Sequence, residues 1–511
     1  MKTKTPNLAV ILDGFGMGPK YPGNAIELAV KPTFDYLKKR GLYTELTAHG
    51  QAVGLNRDQI SGSEVGHMNI GCGRVIKQEV VRINEAIENG QFFKNQVFLE
   101  LIAHLKKFSS SLHLIGLLSQ KDSPHSNFLH FKALLELAKR NSVKKVFVHF
   151  FTDGRDSSPK SAKRFLDKWA GAMQQIGIGQ IASIGGRFYG MDRTKNWKRL
   201  KKAYNAIVFG KGKKANCAAE AIDKAYQNGL TDEFIPPTTL VSDNEPIATV
   251  NNQDGVVFFH LRSDRARQLT KLFVLDESKE TKLPKPRLKN LKFVTLTGFG
   301  PKINVKTAYN NFTTKITLVN NLKKIRQLYV AETEKFAHIT YFFNGQHSEV
   351  TAGEDRIMAP SVKVDNYAKV PKMSAGLITN QVVQALNKSS HDFILINFAN
   401  PDMLGHTGDI KATVKGLEFV DQCLARLFKI ISKKKGNLFI FSDHGNAERM
   451  LNEKTGEKVT FHTANPVPFI FYSHKRLGRK LAQGGQLSNV APTILEVLEI
   501  DQYNEMDKSL W

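Results

Sequence analysis

Four short apolar segments of this chain stand next to residue types that bind divalent cations in proteins. The residues are Asp13 after NLAVIL, Asp402 and His406 after FILINF, Asp443 and His444 after NLFIF, and His462 ahead of VPFIFY. In an open α/β sheet the carboxyl ends of the strands converge on one crevice, so these side chains are expected to lie close together. Carboxylate and imidazole groups collected in one place can coordinate a metal ion. The sequence therefore predicts a metal centre at a sheet edge.

Taken singly, each of these residues has an ordinary structural explanation. An Asp after a strand often caps the following helix, and a lone His is often a satisfied core side chain. Independent structural roles would have to coincide at four strand edges, so the metal interpretation is favoured for the set.

Strand-like and helical patterns alternate along the whole chain. Apolar runs such as KKVFVHFF and GVVFFH are separated by segments with helical spacing such as FKALLELAKR and SAGLITNQVVQALNK. This alternation predicts an α/β fold with parallel or mixed sheets covered by helices on both faces. A length of 511 residues predicts two or three domains.

The composition limits the classes of partner. Lys and Arg number 73 against 47 Asp and Glu, a net charge of +26, but the lysines are scattered in short groups without a nucleic-acid-binding motif. Three cysteines without CxxC spacing indicate a reduced, cytoplasmic protein. A strand is predicted close to the N-terminus, so a signal peptide is not expected. The sequence has no apolar run of about eighteen residues, so a membrane span is not expected either.

Functional residue types divide the chain. Candidate metal ligands lie before about position 75 or after about position 400, and arginines beside Gly and Asp lie between them. This pattern predicts a domain of residues 78–310 inserted into one built from residues 1–77 and 311–511. The junctions are expected near GCGRVIKQE and INVKTAYNN.

Ser63 is a candidate nucleophile in the run SGSEVGHMNIGCGR, where helical spacing begins. A serine hydroxyl is a weak nucleophile at neutral pH, but a divalent cation and the positive end of a helix both favour its alkoxide. Ser63 is therefore a candidate for covalent phosphorylation. An ordinary helix N-cap at Ser61 or Ser63 is the structural alternative.

Charged residues in the middle of the chain predict a polyanionic ligand, because guanidinium groups bind carboxylate and phosphate oxygens through paired hydrogen bonds. Ion pairs with nearby aspartates are the alternative. Asp156 and His125 are the groups there that could move a proton on a substrate hydroxyl. Lys335, farther along the chain, could link a phosphate to the metal site. The arginines are Arg155, Arg187, Arg193, Arg262 and Arg265.

These motifs together resemble the cofactor-independent phosphoglycerate mutase family of the alkaline phosphatase superfamily. The matching segments follow in order over essentially the whole chain and include ILDGFG, SGSEVGHMNIGCGR, FTDGRD, GGRFYGMDR, RSDRARQLT, AETEKFAH, NPDMLGHTG, SDHGNAE and HTANPVP. The resemblance implies an alkaline phosphatase-like mixed or parallel sheet domain with an inserted α/β phosphotransferase domain. It also implies a cytoplasmic, monomeric isomerase of glycolysis and gluconeogenesis that interconverts 3-phosphoglycerate and 2-phosphoglycerate without bisphosphoglycerate.

The resemblance further implies roles for individual residues. One manganese ion would be bound by Asp402, His406 and His462, and a second by Asp13, Ser63, Asp443 and His444. Other divalent cations suit the same ligands. Ser63 would carry the phosphoryl group, with Asp156 as a second catalytic residue. Substrate would be held by His125, Arg155, Asp156, Arg187, Arg193, Arg262, Arg265 and Lys335. The expected partner is the small-molecule substrate, with neither nucleic acid nor membrane.

Two places depart from the pattern of the family. Gly62 stands where the family usually has Asn, and the loop Gln120–Asn127 reads QKDSPHSN in place of a Gly-rich loop with two histidines. His125 matches the first of those histidines, and Asn127 replaces the second. Three alternatives stay open. A phosphatase or phosphopentomutase-like enzyme would keep the same metal ligands, and a basic nucleic-acid-binding protein would explain the net charge of +26. The altered loop supports the third, an inactive relative with a binding role.

Overall fold

The computed structural model describes residues 5–120, 123, 125–275, 288–300, 303, 305–475 and 480–511. Part of the altered loop (Lys121, Asp122 and Pro124) and Asn304 at the second predicted junction lie outside the described residues. The strands are β1 (Asn7–Leu12), β2 (Leu42–Thr47), β3 (Leu112–Leu118), β4 (Val146–Thr152), β5 (Gln180–Gly186), β6 (Lys213–Ala215), β7 (Thr238–Ser242), β8 (Glu245–Pro246), β9 (Gly255–Phe258), β10 (Lys292–Thr297), β11 (Lys306–Tyr309), β12 (Gln327–Glu332), β13 (Glu354–Ala359), β14 (Phe393–Phe398), β15 (Asn437–Phe441), β16 (Val467–Ser473) and β17 (Gly485–Gln486).

The α-helices are α1 (Ala25–Leu28), α2 (Pro32–Arg40), α3 (Ser63–Cys72), α4 (Glu79–Glu88), α5 (Gln96–Phe108), α6 (Phe128–Arg140), α7 (Ala162–Ile176), α8 (Arg187–Gly190), α9 (Trp197–Phe209), α10 (Ala218–Gln227), α11 (Ser263–Val274), α12 (Leu318–Asn321), α13 (Thr333–Ala337), α14 (Ala375–Lys388), α15 (Asn400–Gly405), α16 (Ile410–Lys433) and α17 (Val490–Val497). Among the described residues, none of these helices is both long and apolar enough to cross a membrane.

The chain divides into two compact units, and the outer one contains residues up to Gln78 and from Phe312 onward. Its sheet has the strand order β13-β12-β14-β1-β15-β16-β2-β17 over the described residues. Five neighbouring strands of this sheet are parallel to one another: β13, β12, β14, β1 and β15. The next strand, β16, is antiparallel to both of its neighbours, β15 and β2. A mixed sheet of this kind brings the carboxyl ends of β12, β14, β1 and β15 to one edge.

The central strand β1 is buried on both faces of this sheet. Leu8 and Val10 belong to a core that includes Leu424 of α16, and Ala9 belongs to the opposite core with Ile494 of α17. Burial on both sides explains why NLAVIL is continuously apolar instead of alternating.

The inserted unit spans Glu79–Asn311. The strand order in its sheet is β11-β10-β9-β3-β4-β5-β7-β6, with β8 paired to β7. The neighbouring strands are parallel except that β7 is antiparallel to β5 and to β8. Phe131 of α6 and Trp169 of α7 pack in the core on one face, and Leu200 of α9 and Leu269 of α11 pack in the core on the other. The predicted α/β class with helix-covered mixed sheets is confirmed.

Candidate metal centre and anion-binding cluster

Three neighbouring strands of the outer sheet position the carboxylates of the candidate metal centre. Asp13 directly follows β1, Asp402 lies in α15 after β14, and Asp443 lies two residues beyond β15. Because β14, β1 and β15 are parallel neighbours, their carboxyl ends open on the same side. All three aspartates are buried.

Asp402, His406 and His462 converge on a single point. The Nε2 atoms of the two histidines are 3.1 Å apart, and each lies 3.2 Å from Asp402 Oδ1. Nδ1 of His406 lies 2.7 Å from the Thr460 carbonyl oxygen, and Nδ1 of His462 lies 2.9 Å from the Ser61 carbonyl oxygen. In a neutral imidazole whose Nδ1 donates to a carbonyl, Nε2 carries a lone pair, so in that form two lone pairs and a carboxylate oxygen face one another. That arrangement fits a bound cation.

A second group of potential ligands consists of Asp13, Asp443 and His444, all completely buried. His444 Nε2 lies 3.6 Å from Asp13 Oδ1, 3.5 Å from Asp443 Oδ2 and 2.9 Å from Ser63 Oγ. Ser63 Oγ in turn donates to Asp13 Oδ1 over 3.2 Å. Within each group the candidate ligand atoms lie within 4.8 Å of one another, a spacing that suits a divalent cation.

Ser63 is the first residue of α3, and its side chain enters the second ligand group. Gly62 is the N-cap, so the alternative in which Ser63 only caps the helix is wrong. Gly66 is needed one turn later, because a Cβ there would lie 2.5 Å from the Asp443 carbonyl oxygen. Gly14 has φ +72°, and a Cβ there would lie 2.7 Å from Asp402 Cβ. Close backbone approach thus places the serine hydroxyl among the carboxylates.

Lys335 connects the two ligand groups. Its Nζ donates to Asp13 Oδ1 and Asp402 Oδ2, each over 2.6 Å, and to Ser63 Oγ over 2.7 Å. Burial disfavours the ammonium, but Asp13, Asp402 and Asp443 together raise the pKa of Lys335. Burial likewise opposes ionisation of Asp402, yet Lys335 helps hold the pKa of that carboxyl well below its usual range. The site is therefore built to gather anionic oxygens around positive charge.

Two further residues orient these ligands, and neither was predicted from the sequence. His67 Nδ1 lies 3.0 Å from Asp443 Oδ2, and Asn397 Nδ2 donates to Asp13 Oδ2 over 2.8 Å. His67 is one helical turn beyond Ser63, and Asn397 is a lone amide in the apolar strand FILINF. A polar residue inside such a strand is a usable signal, because a buried amide needs hydrogen-bonding partners.

In the inserted unit, the candidate substrate-binding residues also follow neighbouring parallel strands. His125 comes after β3, Asp156 after β4, Arg187 directly after β5 and Arg262 after β9. The spatial order of these strands is β9-β3-β4-β5. Their carboxyl ends therefore bring these residues to one edge of the inserted sheet.

Arg187 is buried at the centre of this cluster. Its Nη1 lies 2.6 Å from Asp153 Oδ1 and 2.5 Å from Asp156 Oδ2, and its Nη2 lies 3.0 Å from His125 Nε2. His125 Nε2 is also 3.1 Å from Asp156 Oδ2. These contacts with His125 and then Arg187 lower the pKa of Asp156, which keeps the carboxylate ionised. Asp153, whose Oδ1 contacts Arg187, is a further residue that was not among the predicted site residues.

Arg193 and Arg262 are joined through Asp264. Arg193 Nη1 lies 3.3 Å from Asp264 Oδ2, and Arg262 Nε lies 3.4 Å from Asp264 Oδ1. About half of each arginine side chain is exposed. One carboxylate thus holds two guanidinium groups with surface left to bind an anion.

Arg265 lies within a field of like charges. Burial and then the charges of Arg193, Arg187 and Arg155 lower the pKa of the Arg265 guanidinium. Arg155 is half exposed and lies 3.9 Å from Glu233 Oε1. Arginines that are crowded enough to lower the pKa of one of them favour a ligand that carries several negative charges.

The structure thus brings the predicted metal ligands, Ser63 and Lys335 together in the outer unit. The other predicted substrate-binding residues cluster in the inserted unit: His125, Arg155, Asp156, Arg187, Arg193, Arg262 and Arg265.

Comparisons with known proteins agree with this division. Residues 83–301 match the sequence model of the BPG-independent PGAM N-terminus, and residues 299–466 match type I phosphodiesterase / nucleotide pyrophosphatase. The 2,3-bisphosphoglycerate-independent phosphoglycerate mutase of Clostridium kluyveri is 45% identical over 98% of this chain and 98% of that protein. This chain belongs to the 2,3-bisphosphoglycerate-independent phosphoglycerate mutase family.

Other members of the family extend the similarity. The mutase of Clostridium perfringens is 44% identical over 99% of this chain and 98% of its own length. A crystal structure of Leishmania mexicana phosphoglycerate mutase at low cobalt concentration has a TM-score of 0.78 and 28% identity, covering 99% of this chain and 97% of that one.

Membership confirms the predictions of the mutase family, of the alkaline phosphatase-like fold with an inserted domain, and of isomerase function in phosphoglycerate interconversion. The family is metal-dependent, in agreement with the two ligand groups. The metal, the number of ions and the roles of individual residues stay predictions.

Proposed function

We propose that this protein interconverts 3-phosphoglycerate and 2-phosphoglycerate by passing the phosphoryl group through Ser63, with two manganese ions and without bisphosphoglycerate. The observation that carries this proposal is the position of Ser63 Oγ. The hydroxyl lies at the start of α3 and in contact with Asp13, His444 and Lys335. No other role explains as well why a serine is buried among so many charged groups.

The donor set supports two divalent ions. Asp402, His406 and His462 would hold one, and Asp13, Asp443 and His444, together with Ser63, would hold the other. When bound, such ions favour the serine alkoxide and neutralise charge on the phosphoryl oxygens. Oxygen and imidazole ligands suit manganese.

The residues around Ser63 prepare it for transfer. Lys335 Nζ donates a hydrogen bond to Ser63 Oγ, which favours the alkoxide over the hydroxyl. The N-terminus of α3 adds partial positive charge at the same position. Asp13 Oδ1 accepts the hydroxyl hydrogen bond and so orients the oxygen.

The arginine cluster retains the glycerate while Ser63 carries the phosphoryl group. Arg187 holds Asp156 through Oδ2, and the lowered pKa of Asp156 keeps this carboxylate ionised, so that it can accept a hydrogen bond from a glycerate hydroxyl and orient it. His125 contacts the same oxygen and fixes the carboxylate orientation. Arg193 and Arg262 remain half exposed and are suited to the substrate carboxylate or phosphate.

The second candidate function is a phosphatase, because the same metal ligands would support hydrolysis. The arginine cluster favours the mutase, since a phosphatase has no need to retain the alcohol that it releases.

The proposed protein is a cytoplasmic monomer. Its partner is the small-molecule substrate. The three scattered cysteines are consistent with a reducing compartment.

Phosphorus NMR of the protein with 3-phosphoglycerate and manganese, without bisphosphoglycerate, tests this function. We expect the 2-phosphoglycerate resonance to grow with little inorganic phosphate. Phosphate release without 2-phosphoglycerate would establish a phosphatase instead.

Replacing Arg262 with alanine is expected to raise KM for 3-phosphoglycerate about 10- to 100-fold, because it removes a charge-assisted contact to the substrate. Manganese affinity should stay unchanged, since Arg262 belongs to the inserted unit. Steady-state kinetics and calorimetric titration with manganese measure the two effects. Arg164→Ala, at an exposed position of α7, is the matched control. An equal loss of metal binding in Arg262→Ala would contradict the assignment.

A further inference from the structure

Glu448 is a buried carboxylate beside the candidate metal centre that belongs to neither ligand group. Its Oε2 accepts hydrogen bonds from the main-chain nitrogens of Gly16, over 3.1 Å, and Asn446, over 2.8 Å. Its Oε1 accepts from Asn465 Nδ2, over 3.0 Å, and from Thr463 Oγ1. Four donors therefore converge on one side chain.

These donors come from three loops that carry candidate ligands. Gly16 is three residues after Asp13, Asn446 is two residues after His444, and Thr463 directly follows His462. A displacement of the Glu448 carboxylate would therefore move loops of both ligand groups at once.

The backbone is shaped to admit this carboxylate. A Cβ at Gly16 would lie 2.4 Å from Glu448 Oε2, and a Cβ at Gly445 would lie 2.4 Å from Oε1. Both distances are far shorter than ordinary contacts, so a side chain at either position would collide with the Glu448 carboxylate where it now lies. Gly16, three residues after Asp13, and Gly445, directly after His444, thus both leave room for the Glu448 carboxylate.

The charge of Glu448 is not balanced by its hydrogen bonds. All four donors are neutral amide or hydroxyl groups. Burying a carboxylate without a cationic partner is costly, and a nearby divalent cation would reduce that cost. This side chain is therefore better suited to a metal-loaded site than to a metal-free one.

We propose that Glu448 is a positioning residue that increases the affinity of the centre for divalent cations, by joining the three ligand loops and by adding a negative charge that does not ligate. The inference rests on the proposed metal-dependent function. Residues that orient metal ligands typically change metal affinity about 10- to 100-fold when replaced.

Glu448→Gln separates charge from shape. The amide oxygen can still accept from Gly16 and Asn446, while the Thr463 hydroxyl and the Asn465 amide can turn to accept from the new NH2 group. We expect the manganese dissociation constant, measured by calorimetry on metal-stripped protein, to rise about tenfold or more. Glu457→Gln, an exposed carboxylate nearby in sequence, should leave the manganese dissociation constant unchanged.

Thermal unfolding distinguishes this role from a merely structural one. Without metal, Glu448→Gln should melt no lower than the unaltered protein, because an uncompensated buried charge has been removed. With manganese, the rise in Tm should be smaller than in the unaltered protein. A lower Tm without metal combined with an unchanged manganese dissociation constant would overturn the inference.

A second variant covers the case in which Glu448→Gln does not fold. Thr463→Val removes one hydroxyl donor and keeps the carboxylate, and it should weaken manganese binding by a smaller factor, about two- to tenfold. If Glu448→Gln folds and binds manganese with unchanged affinity, the proposed role of Glu448 is wrong. If only Thr463→Val folds, unchanged manganese affinity in that variant leads to the same conclusion. Failure of the unaltered protein to bind manganese would instead overturn the proposed metal-dependent function.

Discussion

Replacing Ser63 with alanine is expected to abolish isomerisation, with kcat falling about 10⁴-fold or more, as happens when the nucleophile of a covalent mechanism is lost. The physical reason is the position of Ser63 Oγ, which lies 2.7 Å from Lys335 Nζ and 2.9 Å from His444 Nε2. Alanine keeps the α3 backbone but offers no oxygen to accept a phosphoryl group. Steady-state conversion of 3-phosphoglycerate measures the loss.

The fold should survive this change, because the carboxylates and histidines of the centre keep their own contacts. Ser488→Ala is the matched control: Ser488 is a buried serine of the same unit whose hydroxyl donates to Asp507 Oδ2 over 2.5 Å. That variant should keep nearly full activity. Isomerisation by Ser63→Ala above about 1% of the unaltered rate would remove Ser63 as the phosphoryl carrier.

Replacing Lys335 with methionine is expected to affect both stability and activity. The metal-free protein should lose about 3 kcal/mol or more of unfolding free energy, because Asp13 and Asp402 would be left as buried carboxylates without their ammonium partner. Manganese should restore part of the loss by neutralising the same carboxylates. At saturating manganese we expect kcat to fall about 10²- to 10³-fold, since Lys335 no longer donates to the reacting oxygen.

Thermal unfolding in chelator and in manganese, together with steady-state kinetics, measures these effects. Lys324→Met, an exposed lysine of the same unit, is the control for loss of a positive charge. A metal-free Lys335→Met protein as stable as the unaltered one would show that the carboxylates do not depend on this ammonium.

Most of the central sheet architecture could be predicted from the sequence, because doubly buried parallel strands are continuously apolar. NLAVIL, FILINF and NLFIF are the adjacent strands β1, β14 and β15. The strand β2, LYTELT, was not predicted, since polar Thr44 lies on its buried face beside Leu46 and weakens the apolar pattern. Its antiparallel pairing with β16 depends on contacts between segments far apart in the chain.

The residue types of the candidate site could be predicted because they follow strand ends, but the contacts that support them could not. Lys335 reads as an ordinary lysine, and its burial becomes evident only when α13 is placed after β12. Glu448 likewise lies in a run rich in polar residues, and nothing in the spacing shows that donors from three loops meet its carboxylate. Such networks depend on tertiary packing.

The most direct test of metal-dependent phosphoryl transfer is the conversion of 3-phosphoglycerate by metal-stripped protein, with and without added manganese and in the absence of bisphosphoglycerate, while free phosphate is followed in parallel. We expect no turnover without metal and, after manganese is added, formation of 2-phosphoglycerate with little phosphate released. Equal isomerisation in the thoroughly stripped protein, or a strict requirement for bisphosphoglycerate, would contradict this mechanism.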